Sequence, residues 1–387
     1  MTGQLTSVTF ECATISDILK KAARVAPNVK ANAHADSPGI FIHILEDNSC
    51  VVRSTDLEIF LTQWSGYVEK IGPAVNWHIP VSLAQLCSYL PMGSGKMVTF
   101  SDELEPTSKL AKSGKVGLSF KCGRTTGEVP LITNFNYPWW DSFDEANSSV
   151  VSSLGVALEQ VLWACAKPDS GAHPALGGVM LDGEKLMASN RYHAAQVPLA
   201  IPSITDPVTV PGGTLAALIK HSGDVRITQT DMGLGISPDE YSQILIRSFA
   251  ESPLAKVKLP RDFETKAVIN SEQMTTVMQR MVTAVKGSDQ LINVKMYLAN
   301  EEILMKMTSP NGTTIKDVVD IPGCAIDTGQ MLSFNPEWLL LSMGKVPSHT
   351  VEMHYDTSKD TKMVYLRSGN YEAWLAQKLS EGVNDGS

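Results

Sequence analysis

A pattern of strands, turns and one short helix occurs three times in this sequence, about 130 residues apart. One half of each copy reads as strands joined by short polar turns. These stretches are GIFIHILEDNSCVVRSTDLEIFL (Gly39 to Leu61), GGVMLDGEKLMASNRYHAAQV (Gly177 to Val197) and VKMYLANEEILMKMTSPNGTTIKDV (Val294 to Val318). The other half reads as a strand that ends near a proline, followed by a short apolar helix. These are HIPVSLAQLCSYL (His78 to Leu90), VTVPGGTLAALI (Val208 to Ile219) and LSFNPEWLLLSM (Leu332 to Met343), with Pro80, Pro211 and Pro336 falling 131 and 125 residues apart. Solenoid repeats run about 20–50 residues, so a period this long means tandem domains. A chain that needs one domain three times is building a shape, which catalysis seldom requires.

Composition narrows the setting. At 387 residues, 43% apolar and 19% charged, the chain has ordinary globular composition and length for several cores. No apolar run approaches the roughly 20 residues needed to cross a bilayer. The start, MTGQLTSVTFECAT, lacks a basic segment and a greasy core, so it does not read as a signal peptide, and a cytoplasmic location is expected. Six cysteines are scattered singly and are expected as reduced, buried thiols. The eight histidines form no HxxxH or HExxH pair, so neither a metal nor a cofactor is expected. The net charge of −9 falls on residues 139–387, because residues 1–138 are balanced. A DNA-coating protein would be strongly basic, so any nucleic-acid contact must use local basic faces.

Strand signals dominate, as period-two alternation in stretches such as SVTFECA, IFIHIL, DVRITQT and SQILIRSF. Helical spacing is confined to a few stretches. Thr14 to Val25 places Ile15, Ile18, Leu19, Ala22 and Val25 on one face; Leu154 to Cys165 and Ser271 to Lys286 do the same. Each domain reads as strand, helix, strands, then the same again, giving two similar units per domain and an α+β class. Prolines in NFNYPWWDSF (Asn134 to Phe143) and LPRDF (Leu259 to Phe263) place breaks that divide the chain into 1–138, 139–262 and 263–387. The polar tail after Leu379 is expected to be disordered. MGSGKM (Met92 to Met97) lacks the spacing of a phosphate-binding loop and reads as a turn. No Ser-His-Asp or Cys-His arrangement follows from spacing, so no catalytic activity is expected.

Three tandem domains of this pattern resemble the bacterial DNA sliding clamp, the beta subunit of DNA polymerase III. STDLEIFL (Ser54 to Leu61) resembles the family's first-domain TDLE strand. LGGVMLDGEKLMASNRYHAAQVPL (Leu176 to Leu199) is similar to its second-domain stretch, and RSFAESPLAKVKLP (Arg247 to Pro260) sits where the family has EGKFPDYRRVLP. MKMTSPNGTTIKDVVDI (Met305 to Ile321) resembles the third-domain LKITSNNPEQEEAEE. No single motif is decisive; their order and spacing across about 270 residues carry the resemblance, which marks a divergent member.

The resemblance implies a head-to-tail homodimer that closes into a ring around duplex DNA and tethers a polymerase. It has helices inside, sheets outside, and edge strands of the first and third domains at the seam. Heterologous contacts whose rotation closes make rings. Sliding needs phosphate attraction without base readout. Lys20, Lys21 and Arg24 lie opposite the apolar face of the first helix, with Lys30 following; Lys167, Lys220, Arg280 and Lys286 sit at or near other helix ends or faces. Where the family often carries a basic pair after the second-domain proline, this chain has Gly212 and Gly213. The resemblance further implies a shallow apolar pocket for short linear peptides of polymerase and clamp loader. Its matching positions are Leu176, Ser189, Arg191, Tyr192, His193, Ala194, Pro253, Val257, Leu375 and Gln377, with Asn190, Ala373 and Ala376 alongside. The family's Gly-His-Arg-Leu is here Arg191-Tyr192-His193-Ala194, and its Met-Pro-Met-Arg is Leu375-Ala376-Gln377-Lys378, so an altered pocket is expected. Two other classes stay open at this stage, a repeated-domain enzyme and a scaffold that does not act on DNA. The lack of a catalytic constellation weighs against the first, and single unpaired cysteines without a secretion signal weigh against the second.

Overall fold

The structure, a computed structural model, describes residues 5–26, 39–87, 96–133, 143–167, 170–220, 222–249, 252–263, 265–285, 294–299, 301–308, 312–322, 331–356 and 363–377. The chain begins β1 (Ser7–Glu11), α1 (Cys12–Val25), β2 (Ile40–Ile44), β3 (Ser49–Thr55), β4 (Ile59–Tyr67) and β5 (Glu69–Ile71). It continues with β6 (Val75–Ile79), α2 (Val81–Cys87), β7 (Met97–Ser101), α3 (Lys109–Lys112), β8 (Gly117–Cys122) and β9 (Thr125–Pro130). The second stretch runs β10 (Ser149–Val151), α4 (Leu154–Val161), β11 (Val179–Leu181), β12 (Lys185–Ser189), β13 (His193–Pro198) and β14 (Val208–Val210). It ends with α5 (Gly212–Ile219), β15 (Val225–Thr230), β16 (Gly233–Asp239) and β17 (Ser242–Arg247). The third holds β18 (Thr265–Asn270), α6 (Ser271–Val285), β19 (Val294–Ala299), β20 (Glu302–Thr308), β21 (Thr314–Asp320) and β22 (Met331–Phe334). It closes with α7 (Pro336–Met343), β23 (Thr350–Tyr355), β24 (Met363–Ser368) and β25 (Tyr371–Ala376).

The three expected helices form where apolar spacing places them. On α1, Ile15, Leu19 and Ala22 are fully or almost fully enclosed. Ile15 and Leu19 each contribute about 1.5–3 kcal/mol by leaving water. The helix has no side-chain N-cap, so packing rather than capping holds it. It stops at Ala26, whose ψ of 128° is the extended conformation forced on a residue before proline. The second helix is shorter than its spacing predicts. After Val161 it tightens into a 3₁₀ turn, Leu162–Ala164, as helix ends often do.

All six strand–helix–strands units are present, with one difference from the sequence reading. Each unit's first strand pairs in the sheet of its domain's other unit. Thus β1 joins β7 while β6 joins β2. Likewise β10 joins β15 and β14 joins β11, and β18 joins β23 and β22 joins β19. Local periodicity sets which residues face inward but not which strand lies alongside, so the exchange leaves no mark in the pattern.

By contacts the chain falls into two compact units, residues 1–152 with 217–248 and residues 153–216 with 249–387. The first holds the sheets β5-β1-β7-β8-β9 and β10-β15-β16-β17-β4-β3-β2-β6. The second holds β14-β11-β12-β13-β25-β24-β23-β18 and β21-β20-β19-β22. Each eight-stranded sheet is two four-stranded meanders joined edge to edge, through β17·β4 in one unit and β13·β25 in the other. Cys12, Cys50, Cys87 and Cys122 are buried in the first unit.

Candidate partner-peptide site and basic helix face

The β12–β13 hairpin of the second unit carries most of the expected pocket residues. Its turn is an Asx turn: the Asn190 side-chain oxygen accepts from the backbone N–H of Tyr192 and of His193, both at 3.0 Å. The Ser189 hydroxyl donates to the His193 carbonyl at 2.9 Å and accepts from the Arg191 N–H. Arg191 adopts φ +82°, left-handed backbone that a non-glycine residue occupies at a cost of about 1 kcal/mol.

Pairing of β13 with β25 sets His193 opposite Leu375 and Ala194 opposite Trp374, and the Ala376 N–H bonds the Tyr192 carbonyl at 2.7 Å. Leu375 is fully enclosed. Leu176 and Ala194 share a buried cluster with Leu254 and Trp374, on the face of the sheet opposite to that of His193. Pro253 begins the 3₁₀ turn Pro253–Lys256, and Val257 follows it, exposed. The Gln377 side-chain oxygen accepts from the Ser333 N–H. Beneath, Glu372 is fixed by Arg261, Gln196 and the Tyr365 hydroxyl, at 2.5–2.6 Å each.

Two residues that sequence reasoning missed, Trp163 and Trp338, give the surface its character. The His193 ring stacks on Trp163 at 4.9 Å and meets Trp338 edge-on at 4.9 Å. Tyr192, 59% exposed, stacks on Trp338 at 5.7 Å. The Trp163 indole N–H donates to the Tyr371 hydroxyl, which donates to the Ser342 carbonyl. Burial lowers the His193 pKa to about 4, so the imidazole is neutral at pH 7 and belongs to an uncharged, four-ring surface. In sequence, Trp163 and Trp338 look like core residues on short apolar helices. Only their partial exposure tells otherwise.

The expected basic residues divide between the units. In the first, Lys20, Lys21 and Arg24 border a groove on α1 with Ala217 and Leu218 of α5. Arg24 donates to the Ala217 carbonyl at 2.9 Å, and Lys21 pairs with Asp17 one turn earlier at 3.1 Å. Lys220 is exposed just after α5. In the second unit, Lys167 is exposed beyond the 3₁₀ turn, and Arg280 forms an ion pair with Asp317. Lys30, Lys286, the break at 134–142, most of MGSGKM and the tail lie outside the described residues. A Cβ at Gly212 would come within 2.7 Å of the Val179 and Leu162 side chains, whereas one at Gly213 would stand in open space, so packing accounts for the first of these two glycines only.

No protein-family model and no curated protein matches the sequence. Solved structures do match its fold. The Pseudomonas aeruginosa DNA polymerase sliding clamp superimposes with a TM-score of 0.77 at 17% identity, covering 97% of this chain and 100% of that one. The DNA polymerase III beta subunit of Thermotoga maritima gives 0.77 at 16% identity, covering 97% and 99%. The C. crescentus beta sliding clamp gives 0.79 at 14% identity, covering 98% and 100%. The chain therefore has the fold of these clamps along nearly its whole length.

Proposed function

We propose that the chain is a non-catalytic sliding clamp, two copies of which close head to tail around duplex DNA and hold a replicative polymerase to it. The full-length likeness of fold carries this reading, since the match covers 97% of this chain and 100% of the Pseudomonas aeruginosa clamp. Lys20, Lys21 and Arg24, with Lys167 and Lys220, are the proposed phosphate contacts. Arg280 has less to offer because Asp317 already answers its charge. Lys30 and Lys286 are proposed from their positions in the sequence. Polymerase and clamp loader dock through short linear peptides on the aromatic surface of Tyr192, His193, Trp163 and Trp338, and the proposed place of action is the cytoplasm. No observation favours the enzyme or scaffold alternatives.

Retention on nicked circular DNA, measured before and after linearisation with a loader supplied, tests the reading. Release through the free ends is expected; retention after the cut would overturn encirclement. Changing Lys20, Lys21 and Arg24 together to Ala should shorten retention and flatten its salt dependence. The slope of log affinity against log salt should fall by about 3, at roughly 0.9 per phosphate contact.

A further inference from the structure

The outward face of the four-stranded sheet β21-β20-β19-β22 is striped. Across the strands, Ser333, Lys295, Lys306 and Lys316 stand opposite one another in one row. The next row on the same face runs Met331, Tyr297, Leu304, Val318, and the row beyond it sets Glu302 opposite Asp320. Met296, Met305 and Met307 alternate with these residues along the strands and are buried, which fixes the striped face as the outer one. The order of the stripes is basic, apolar, acidic.

Three lysines abreast are costly to keep. Neighbouring strands lie about 4.8 Å apart, and like charges directly opposite one another destabilise a sheet. Among the described residues no carboxylate pairs with any of the three. Their nearest described neighbours on that face are Tyr297, Leu304, Thr308, Thr314, Val318 and Met331. The chain as a whole carries a net charge of −9, so this row is a local reversal of its field. The apolar stripe beside it is part open, with Met331 39% and Val318 38% exposed. Both stripes end at β22, where the Ser333 N–H is held by the Gln377 side chain. The residue before Gln377, Ala376, bonds the Tyr192 carbonyl, so the stripes abut the aromatic surface.

We propose that this sheet face binds an acidic linear segment of a partner. Its carboxylates lie over Lys295, Lys306 and Lys316, and its apolar side chains over the Met331 to Val318 stripe. This rests on the peptide-docking reading above and adds the chemistry of the segment that flanks the docked peptide. A nucleic-acid strand suits the face less well. The lysine row spans only two strand spacings, about 10 Å, and Glu302 and Asp320 close the far side to a longer polyanion.

Two fluorescein-labelled peptides, Asp-Leu-Asp-Leu-Asp-Leu and Asn-Leu-Asn-Leu-Asn-Leu, test this by anisotropy against the full chain. Three exposed ion pairs should make the Asp peptide bind about tenfold more tightly in low salt, an advantage that high salt removes. Lys295→Gln, Lys306→Gln and Lys316→Gln together should abolish the difference. The same triple variant should unfold at a higher denaturant midpoint in low salt, because its like charges are gone. A lower midpoint would show the lysines paired in the free chain and overturn the argument. Trp338→Ala should weaken both peptides and leave their ratio unchanged, so failure of the aromatic reading registers separately. Equal binding of the two peptides, no binding of either, or a ratio unmoved by the lysine changes would overturn the proposal. So would loss of a dimeric mass in the triple variant, which would assign the row to contact between copies. Tighter binding of an oligothymidylate through the same lysines would assign it to nucleic acid instead.

Discussion

The turn between β3 and β4 and the turn between β12 and β13 are built alike and surrounded differently. In the first, Asp56 accepts from the N–H of Glu58 and Ile59, as Asn190 does from Tyr192 and His193. The Thr55 hydroxyl accepts from Leu57 as Ser189 does from Arg191; Leu57 has φ +76° and Arg191 +82°. Glu58 accepts from Arg247 across its joint, and Tyr192 from Ala376 across the other. What packs against the two joints then diverges. Phe41, Phe60 and Leu245 seal the first, with Phe143 packed against them and the Arg247 guanidinium 5.6 Å from the Phe60 ring centre. In the second, the same scaffold presents His193 and Tyr192 to Trp163 and Trp338. Backbone geometry common to both therefore cannot be what sets the proposed binding surface apart; the rings from the 3₁₀ turn and α7 do that.

That contrast can be broken most forcefully at the joints. Trp374→Ala, opposite Ala194, should cost about 4 kcal/mol, and Leu245→Ala, opposite Phe60, about 3, by denaturant unfolding. Comparable losses would mark both joints as structural. A loss below 1 kcal/mol at Trp374 would mean the second joint is built for binding at the expense of stability.

Acid gives the next effect. Burial holds His193 near pKa 4, whereas the unfolded chain takes up that proton near 6.5. The unfolded state thus binds more protons below pH 6.5. Stability is full above that point and falls by up to about 3 kcal/mol as pH drops towards 4. His78 in the first unit is likewise lowered to about 4 by burial, so both units should weaken. His193→Phe should flatten the acid response of the second unit only, read by hydrogen exchange at pH 5 and pH 7. A smaller effect tests the shared turns: Leu57→Gly and Arg191→Gly should each stabilise by about 1 kcal/mol by relieving left-handed strain. Only the second should also alter binding of a peptide that quenches tryptophan fluorescence.

Much of the fold was legible because it is written in local spacing. Ile15, Leu19 and Ala22 repeat at helical intervals, and turns punctuate each meander. The exchange of first strands was not legible, because β1 and β7 are some 90 residues apart and pattern carries no information about partners. At the candidate site, the resemblance brought out Ser189 to Ala194, but nothing in the spacing singled out Trp163 and Trp338, which lie on short apolar stretches. Leu375 lay within the right stretch, although alternation along β25 turns it inward, where it is fully enclosed.

The exchanged strands also govern how the chain can be made. As synthesis proceeds, β1 must wait for β7, and the sheet begun by β2 is complete only when β17 has left the ribosome near residue 247. No unit can be finished from its own contiguous stretch, so unpaired strand edges persist through much of translation. Such edges invite mispairing in proportion to the wait. A chain released before β9 is complete should therefore be a client of chaperones rather than a small folded domain.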